Sequence, residues 1–523
     1  MNTERKIALT LFCIVFVIFI FSNDGHRTTF DEEVTLRQAT WLVTLTPHPD
    51  FNLGESREYF DYPELFPNPD GFICNIGILC SPATIGHSIV EAPFIFVNEN
   101  LNIISEDDIW DTNDFDDQHY VWWRNSLPSN AVFMELFIGP LFSALSVFLF
   151  FFVTRSFDIT LKNSIIVTLL YGLSTITWAY SQTSLSSVPM ITFILLGFLF
   201  FRKYQKENSI SNLIISAFAL GFAFLIRVDA AIIIGFLFLF LIALVIYKNR
   251  SKLKLFDAVK TIISFAVPLI TSYGFYQLIN YIRYDTSAVY SGFRSILTNP
   301  DAFTPLPIAL FGLLFSPGLG LFVFSPILFL VIISFSDLYK KNRRDFILLL
   351  GIVLTHLIFF AQFVFFWHGL SSWSSRYLLL VIPFLLIPLG ITLGRKLTKR
   401  SFIIIFSLVA IGVFINIIYV MQDVSWFVWG LMGNDDHGLY SLHGGPLRIH
   451  PLTIWTFEFS QLTHSIFMAF NHLQSDIYLL KVLGVSAYSI ILLGFLIPLW
   501  YYLIRLHRTV ITKKQIKTDE FDK

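Results

Sequence analysis

Long apolar runs constrain this chain more than any other feature of its sequence. The chain has 523 residues, of which 55% are hydrophobic and 14% charged, whereas soluble domains carry about 25% charged residues. The runs are 7–22, 132–154, 163–182, 185–201, 210–226, 229–247, 258–281, 307–335, 346–367, 377–394, 401–421 and 477–503. Each is close to the roughly 20 residues that cross a bilayer. The sequence therefore predicts an all-α polytopic membrane protein with about twelve transmembrane helices.

The distribution of Lys and Arg predicts the orientation of these helices. With both termini in the cytoplasm, the inner segments hold 26 of the 36 basic residues and the outer segments hold nine. Basic residues concentrate on the cytoplasmic side of membrane proteins. Arg5 and Lys6 precede the first run, and no small-residue cleavage site follows it, so we interpret that run as a retained helix and not as a signal peptide. The expected location is the cell membrane.

This topology divides the chain into six parts, two of which are large extracytoplasmic loops. They are the first transmembrane helix (1–22), a first extracytoplasmic loop (23–131), a transmembrane core (132–421), a second extracytoplasmic loop (422–476), the last transmembrane helix (477–503) and a cytoplasmic tail (504–523). Within the first loop, Asp31–Leu45 is compatible with a helix. The 307–335 run contains Ser-Pro interruptions, and both one tilted helix and a broken one agree with it.

Charged residues cluster where the runs meet the predicted outer membrane face, a place where charge is costly and usually functional. Four groups converge there. They are Asp31-Glu32-Glu33, Arg227 with Asp229, a segment from Asn280 through Arg283 to Tyr290, and a turn containing His368, Trp373, Arg376 and Tyr377.

These residue types suit transfer from a lipid phosphate. A partly buried carboxylate can act as a general base on a hydroxyl. Arginines hold phosphates through bidentate, charge-assisted hydrogen bonds, and aromatic rings stack on sugars. Structural roles remain open for each residue. Asp31 also suits a helix cap, Arg227 and Asp229 suit an ion pair at a turn, and Trp residues suit a membrane-interface belt.

Cysteine and histidine positions give no firm metal site. Cys13 lies in the first run, and Cys74 and Cys80 share the first loop, where a disulfide and a free pair are both compatible with the sequence. The Asp435-Asp436-His437 group matches no metal-ligand spacing and is better interpreted as a solvated loop.

Several stretches, in order along 1–395, resemble the GT-C integral-membrane glycosyltransferases, the superfamily of protein O-mannosyltransferases and lipid A aminoarabinose transferases. They are Phe30-Asp31-Glu32, the 168–182 segment, Gly221–Asp229, Leu314–Leu321, and Trp367-His368-Gly369 with Arg376-Tyr377-Leu378. The chain departs from the usual pattern in two turns. Ser184–Pro189 lacks an acidic residue, and Ser374-Ser375 replaces a Gly-Pro pair.

The resemblance implies a GT-C-like bundle, a donor and a mechanism. The donor would be a sugar on a polyprenyl phosphate, and the acceptor a protein, lipid or glycan hydroxyl outside the cell. Asp31 would be the general base, with Glu32 orienting the acceptor or helping to hold a divalent cation such as Mg²⁺ or Mn²⁺. Transfer would invert the anomeric carbon.

The same resemblance implies roles for the other outer residues. Arg227, Arg376 and Arg283 would bind the donor phosphate, and His368, Trp373, Tyr377 and Tyr290 would contact sugar or acceptor.

Two other function classes remain open. A transporter or flippase of a lipid-linked or charged solute predicts ionisable residues deep within spans, and the runs hold few, with His356 in mid-run. A membrane scaffold predicts no convergence of acid and arginine. The sequence shows no Gly-rich phosphate loop, and no nucleic acid partner is expected.

Overall fold

The computed structural model describes residues 3–25, 30–44, 84–104, 129–248, 255–284, 305–362, 373–396, 398–422, 451–471 and 475–521. Every regular element within these ranges is a helix, which confirms the all-α prediction. In chain order the α-helices are α1 (Thr3–Phe21), α2 (Phe30–Thr44), α3 (Ile85–Leu101), α4 (Ser129–Ser156), α5 (Leu161–Leu173), α6 (Thr177–Tyr180), α7 (Ser187–Glu207), α8 (Ile210–Ile226), α9 (Ala230–Lys248), α10 (Leu255–Tyr284), α11 (Leu306–Phe315), α12 (Leu321–Phe324), α13 (Val331–Lys341), α14 (Arg343–Ala361), α15 (Ile382–Thr392), α16 (Lys399–Val420), α17 (Pro451–Trp455), α18 (Gln461–Asn471) and α19 (Tyr478–Phe521). Two 3₁₀ helices are Pro326–Leu330 and Arg376–Val381.

Long apolar helices make this an integral membrane protein. Within the described residues, seven helices are long and apolar enough to cross a bilayer. In α4 and α7 the apolar stretch is 67% and 78% buried inside the protein, whereas in α10 it is 17% buried and in α19 it is not buried at all. Exposed apolar surface of this extent fits lipid and not water. The prediction of about twelve spans stays a prediction.

The 307–335 run is a broken helix. It consists of α11, α12, a 3₁₀ helix and the start of α13, with breaks at Ser316–Gly320 and at Ser325. The side chain of Ser316 accepts a hydrogen bond from the Leu319 N–H at 3.2 Å. Such local bonds let Ser compete with the helix for backbone groups.

The run expected over 163–182 is likewise divided, into α5 and α6. Thr175 Oγ1 donates to the Tyr171 carbonyl at 2.7 Å, and the Ile176 N–H donates to Ser325 Oγ at 3.1 Å. The two broken segments therefore bond to each other. Irregular backbone at membrane depth is tolerated when protein surrounds it in this way.

Within the described part of the 23–131 segment, the helices α2 and α3 pack together. The expected helix over Asp31–Leu45 is confirmed as α2. Its buried apolar residues Leu36 and Ala39 cluster with Ile95 of α3 and with Met134 and Ile138 of α4. α2 therefore packs on the bundle through its apolar residues.

Hydrogen bonds between helix ends define two ends of the bundle. At one end the Asn23 amide donates to the Glu135 carbonyl at 3.1 Å, and the Gln182 amide donates to the Val420 carbonyl at 3.0 Å. At the other end Arg202 pairs with Asp345 at 2.6 Å. We call the first the outer end and the second the inner end, following the orientation that the basic residues predict.

Candidate functional site

Two of the predicted phosphate-binding arginines meet at one aromatic ring at the outer end. The guanidinium carbons of Arg227 and Arg376 each lie 5.1 Å from the centre of the Tyr377 ring. Arg376 Nη2 also donates to the Tyr377 hydroxyl at 3.2 Å. The two residues lie about 150 positions apart in the chain. Their meeting is therefore a product of the fold and not of local sequence.

Tyr377 is held by two further residues, both on α14. Phe360 of α14 stacks on its ring with the centres 4.9 Å apart. His356 Nε2, one turn earlier on α14, hydrogen-bonds the Tyr377 carbonyl oxygen at 2.7 Å. Tyr377 is 8% exposed and Arg376 9% exposed. The ring is thus a fixed platform to which both arginines are attracted by cation–π interaction.

The turn that delivers Arg376 is anchored by hydrogen bonds to two other parts of the bundle. The Tyr180 hydroxyl donates to the Trp373 carbonyl at 2.9 Å, and Ser374 Oγ donates to the Leu319 carbonyl at 3.1 Å. Ser374 has a φ of +58°, a conformation that glycine adopts readily and other residues rarely. Ser374 therefore adopts the backbone conformation that the Gly of the usual Gly-Pro pair would favour.

Arg227 is placed by the end of α8. Its backbone leaves the helix there in an extended conformation, and its Nε bonds Asp229 Oδ1 at 2.9 Å. The two side chains are 19% and 13% exposed. The ion-pair interpretation of Arg227 and Asp229 is confirmed, and it does not exclude the phosphate role, because Arg227 also reaches Tyr377. The group thus contains two guanidinium groups and one carboxylate.

The acidic helix α2 is attached near Arg227 through α3. At the start of α3, the Thr84 hydroxyl donates to the Ile226 carbonyl, and Gly86 packs directly on the Leu225–Ile226 backbone. A side chain at Gly86 would overlap that backbone. α3 therefore joins α2 to the end of α8, from which Arg227 projects.

Buried polar side chains fix α2 on α3. Thr35 Oγ1 donates to Glu91 Oε1 at 3.0 Å, and Ser88 Oγ donates to Gln38 Oε1 at 2.9 Å. His87 Nε2 lies 3.3 Å from Glu91 Oε1, and both side chains are buried. The sequence interpretation missed His87 and Glu91, because α3 lies within 23–131, which was interpreted as a loop.

The first turn of α2 carries the predicted base. α2 begins at Phe30, so Asp31 and Glu32 lie in its first turn, where the helix dipole favours carboxylates. Glu32 is fully buried. Thr35, which binds Glu91, is one turn further along the same helix and also donates to the Glu32 carbonyl at 3.0 Å. The contact with α3 therefore sets the position of the acidic turn.

A carboxylate also occupies the outer turn that lacks an acidic residue of its own. Glu135 of α4 accepts from the Ser184 N–H at 2.8 Å and from Ser184 Oγ at 2.6 Å. Glu135 is fully buried. The sequence showed only that it lies near a helix end; the fold brings it into the Ser184–Pro189 turn.

Trp373 lies in the core. It is 1% exposed, with its ring 4.8 Å from that of Phe324 and 4.6 Å from that of Tyr419. A sugar could stack on Trp373 only by displacing the ring of Phe324 or that of Tyr419. In this arrangement Trp373 supports the turn before Arg376 and offers no free face for stacking.

The remaining predicted site residues fall outside what the structure describes. His368 and Tyr290 lie in the undescribed ranges, as do Cys74, Cys80 and the Asp435-Asp436-His437 group. Arg283 lies in the last turn of α10, and only its backbone is described; the same holds for Asp31 in α2. Among the described side chains there is no group of three His, Cys, Asp or Glu residues suited to a metal ion. The divalent-cation site stays a prediction.

Comparisons with solved structures show that this chain is similar to known proteins. The crystal structure of ArnT from Cupriavidus metallidurans bound to undecaprenyl phosphate is similar, with a TM-score of 0.43 and 14% sequence identity. The similarity covers 96% of this chain and 77% of that chain. ArnT is a GT-C aminoarabinose transferase. No family model and no curated protein matches this sequence.

Proposed function

We propose that this chain is a membrane glycosyltransferase that moves a sugar from a polyprenyl-phosphate donor to an acceptor hydroxyl at the outer face. The observation that carries the proposal is the convergence of Arg227 and Arg376 on Tyr377 at a partly buried site. A guanidinium pair in a place of low dielectric suits a lipid phosphate. The GT-C resemblance of the same segments supports this interpretation.

In the proposed reaction the acceptor oxygen attacks the anomeric carbon while the bond from that carbon to the phosphate oxygen breaks. Asp31 takes the proton of the acceptor hydroxyl, and the configuration inverts. The leaving polyprenyl phosphate gains negative charge as the bond breaks. Arg227 and Arg376 stabilise that charge, and such preorganised groups act most strongly on charge that develops in the transition state.

The buried contacts of α2 supply the rigidity that this reaction needs. The Glu91–Thr35 and Ser88–Gln38 hydrogen bonds hold the acidic turn of α2 on α3. Gly86 then holds α3 on the end of α8 beside Arg227. A general base works only when it is held within hydrogen-bonding reach of its proton. We therefore assign Tyr377, His356 and Glu91 to positioning, with Arg283, His368 and Tyr290 as further candidates for donor or acceptor contact.

The second candidate function is a transporter or flippase of a lipid-linked solute. The broken helix of α11 to α13 favours it, because transporters often build their sites from discontinuous helices. The two functions differ in one respect that can be measured. A transferase needs a base on the acceptor, whereas a flippase moves its lipid without breaking the glycosidic bond.

The test is sugar transfer by the purified full-length protein supplied with polyprenyl-phosphate sugars and candidate acceptors. Asp31→Asn is expected to lower transfer by 10²–10⁴-fold, the range of general-base catalysis, while donor binding is retained. Asp257→Asn is the matched control, because Asp257 also lies in the first turn of a helix, α10, but at the inner end. It should leave transfer unchanged.

Loss of transfer in Asp31→Asn alone would support the assignment of the base. Equal transfer by wild type and Asp31→Asn would contradict Asp31 as the base. If the wild type transferred no sugar from any donor but moved a fluorescent polyprenyl-phosphate sugar across vesicles, the flippase would replace the transferase.

A further inference from the structure

A cavity of about 440 Å³ lies at the inner end, away from the candidate active site. The turn between α4 and α5, the end of α13 and the end of α15 enclose it. Its charged lining residues are Asp158, Asp337, Lys340, Lys341 and Arg395, and Thr160 and Asn163 add uncharged polar groups. The volume falls within the range of small-molecule sites, about 300–1,000 Å³.

The two acidic residues of the cavity already have cationic partners. Lys206 Nζ, which lies outside the cavity, bonds Asp158 Oδ1 at 2.8 Å. Arg395 pairs with Asp337 Oδ1, and the Thr392 hydroxyl donates to Asp337 Oδ2 at 2.9 Å. The carboxylates therefore do not neutralise Lys340 and Lys341.

Lys340 and Lys341 leave a surplus of positive charge at this cavity. Lys341 Nζ donates to the Phe157 carbonyl at 3.2 Å, a neutral acceptor, and pairs directly with no carboxylate of the described residues. No carboxylate of the described residues pairs with Lys340. The positive surroundings also lower the pKa of Asp158, through its hydrogen bond to Lys206 and then through the charges of Lys206, Lys341 and Arg202.

The backbone adds hydrogen-bond donors that also carry partial positive charge. α5 begins at Leu161, next to Thr160 in the cavity wall, and the first amides of a 13-residue helix carry partial positive charge. A phosphate group in the cavity would meet two ammonium groups and a helix N-terminus. Basic cavities between helix ends at the cytoplasmic face suit anionic lipid headgroups.

We propose that this inner cavity binds the phosphate headgroup of an anionic glycerophospholipid from the adjacent leaflet. The surplus charge of Lys340 and Lys341 selects an anionic headgroup over a zwitterionic one. The membrane is the expected source, because the cavity lies at the helix ends of an integral membrane protein. This site is separate from the outer site, and the proposal does not depend on the transferase activity.

The test is native mass spectrometry of the purified full-length protein titrated with phosphatidylglycerol or phosphatidylcholine of identical acyl chains. Wild type is expected to bind the first phosphatidylglycerol about tenfold more tightly than phosphatidylcholine. Lys340→Gln with Lys341→Gln should remove that preference. Both lysines are exposed, so the double variant should fold normally.

The matched control is Lys399→Gln with Arg400→Gln, which removes the same charge from exposed residues at the inner end of α16, outside the cavity. It should keep the preference within about twofold. An equal loss in both double variants would overturn the proposal, because the effect would then be general surface charge. Equal binding of the two lipids by wild type would also overturn it. Displacement of the lipid by an equimolar amount of glycerol 1-phosphate would show that the cavity takes a free phosphate compound and not a lipid.

Discussion

The two ends of the bundle use charge in opposite ways. At the outer end, Arg227 and Arg376 are largely buried and share the ring of Tyr377. At the inner end, Lys206–Asp158 and Arg155–Glu4 are separate surface pairs, with side chains that are 28–78% exposed. Surface pairs cost little and contribute little, whereas buried, convergent charge is retained only where the surrounding structure supports it. The outer end is therefore the part of the described structure in which buried arginines converge on one ring.

Arg202–Asp345 is the inner-end pair that breaks this contrast, and it should give the largest effect on stability. Both arginine Nη atoms reach Asp345, at 2.6 and 3.2 Å, and the side chains are 7% and 10% exposed. Arg202→Met leaves a buried carboxylate without its partner, which costs about 3–5 kcal/mol. Equilibrium unfolding in mixed micelles measures the loss. A loss of less than about 1 kcal/mol in the free energy of unfolding would mean that this pair contributes no more than a surface pair.

The outer arginines should give the next largest effect, on activity instead of stability. Arg376→Ala removes a cation that faces developing phosphate charge, so transfer should fall about 10²–10³-fold. Arg155→Ala is the inner-end control, because Arg155 is half-exposed and pairs with Glu4 at 2.8 Å; it should leave transfer within about twofold. If both variants lost activity equally, the contrast between the ends would be wrong.

Glu135 sharpens the comparison, because it is a buried outer carboxylate that accepts hydrogen bonds from the neutral N–H and hydroxyl of Ser184. Ser184→Ala removes the hydroxyl that donates to Glu135 Oε1 at 2.6 Å. Hydrogen bonds to charged groups are worth about 1.5–3 kcal/mol, so unfolding should become about 2 kcal/mol easier. Ser186→Ala, two positions later in the same turn, is the control, because no side-chain hydrogen bond of Ser186 holds the described turn. A similar loss of unfolding free energy in both variants would mean that the loss comes from changing the turn and not from the hydrogen bond to Glu135.

The smallest effect is expected at Asp158, and it should depend on pH. Its hydrogen bond to Lys206 lowers the pKa of this carboxyl. The ionised form therefore stabilises the folded state above the ordinary carboxyl pKa, and that contribution is lost as the pH falls through the lowered value. Asp158→Asn should cost no more than about 0.5 kcal/mol near neutral pH. The free energies of unfolding of wild type and variant should converge as the pH falls through the acidic range. A difference that stays constant with pH would mean that the effect does not come from the charge of Asp158.

The sequence was sufficient to predict the arginine group and the all-α class. Arg227, Arg376 and Tyr377 each lie at the end of an apolar run, and the predicted topology puts these run ends at the same membrane face whatever the packing. The structure adds which of them touch. Which residues touch depends on how α8, α14 and the 3₁₀ helix Arg376–Val381 pack, and no local sequence pattern encodes that packing.

Other features were beyond the reach of periodicity. The breaks in the runs at 163–182 and 307–335 are stabilised by bonds between the two segments, such as Ile176 N–H to Ser325 Oγ. Hydropathy cannot register a bond between residues 149 positions apart. The role of His356 was equally hidden, because a mid-run ionisable residue signals function without naming its partner. The contact between Glu135 of α4 and Ser184 was hidden in the same way, because the two residues lie 49 positions apart.

The break at Ser316–Gly320 has a mechanical consequence. The Gly318 N–H donates to the Ile454 carbonyl of α17 at 3.0 Å, and Gly318 lies so close to the Thr453 backbone that no side chain fits. Leu319, the next residue, holds Ser374 and with it the turn before Arg376. A displacement of the 451–455 segment would therefore reach the turn before Arg376 through two hydrogen bonds, one from the Gly318 N–H to the Ile454 carbonyl and one from Ser374 Oγ to the Leu319 carbonyl.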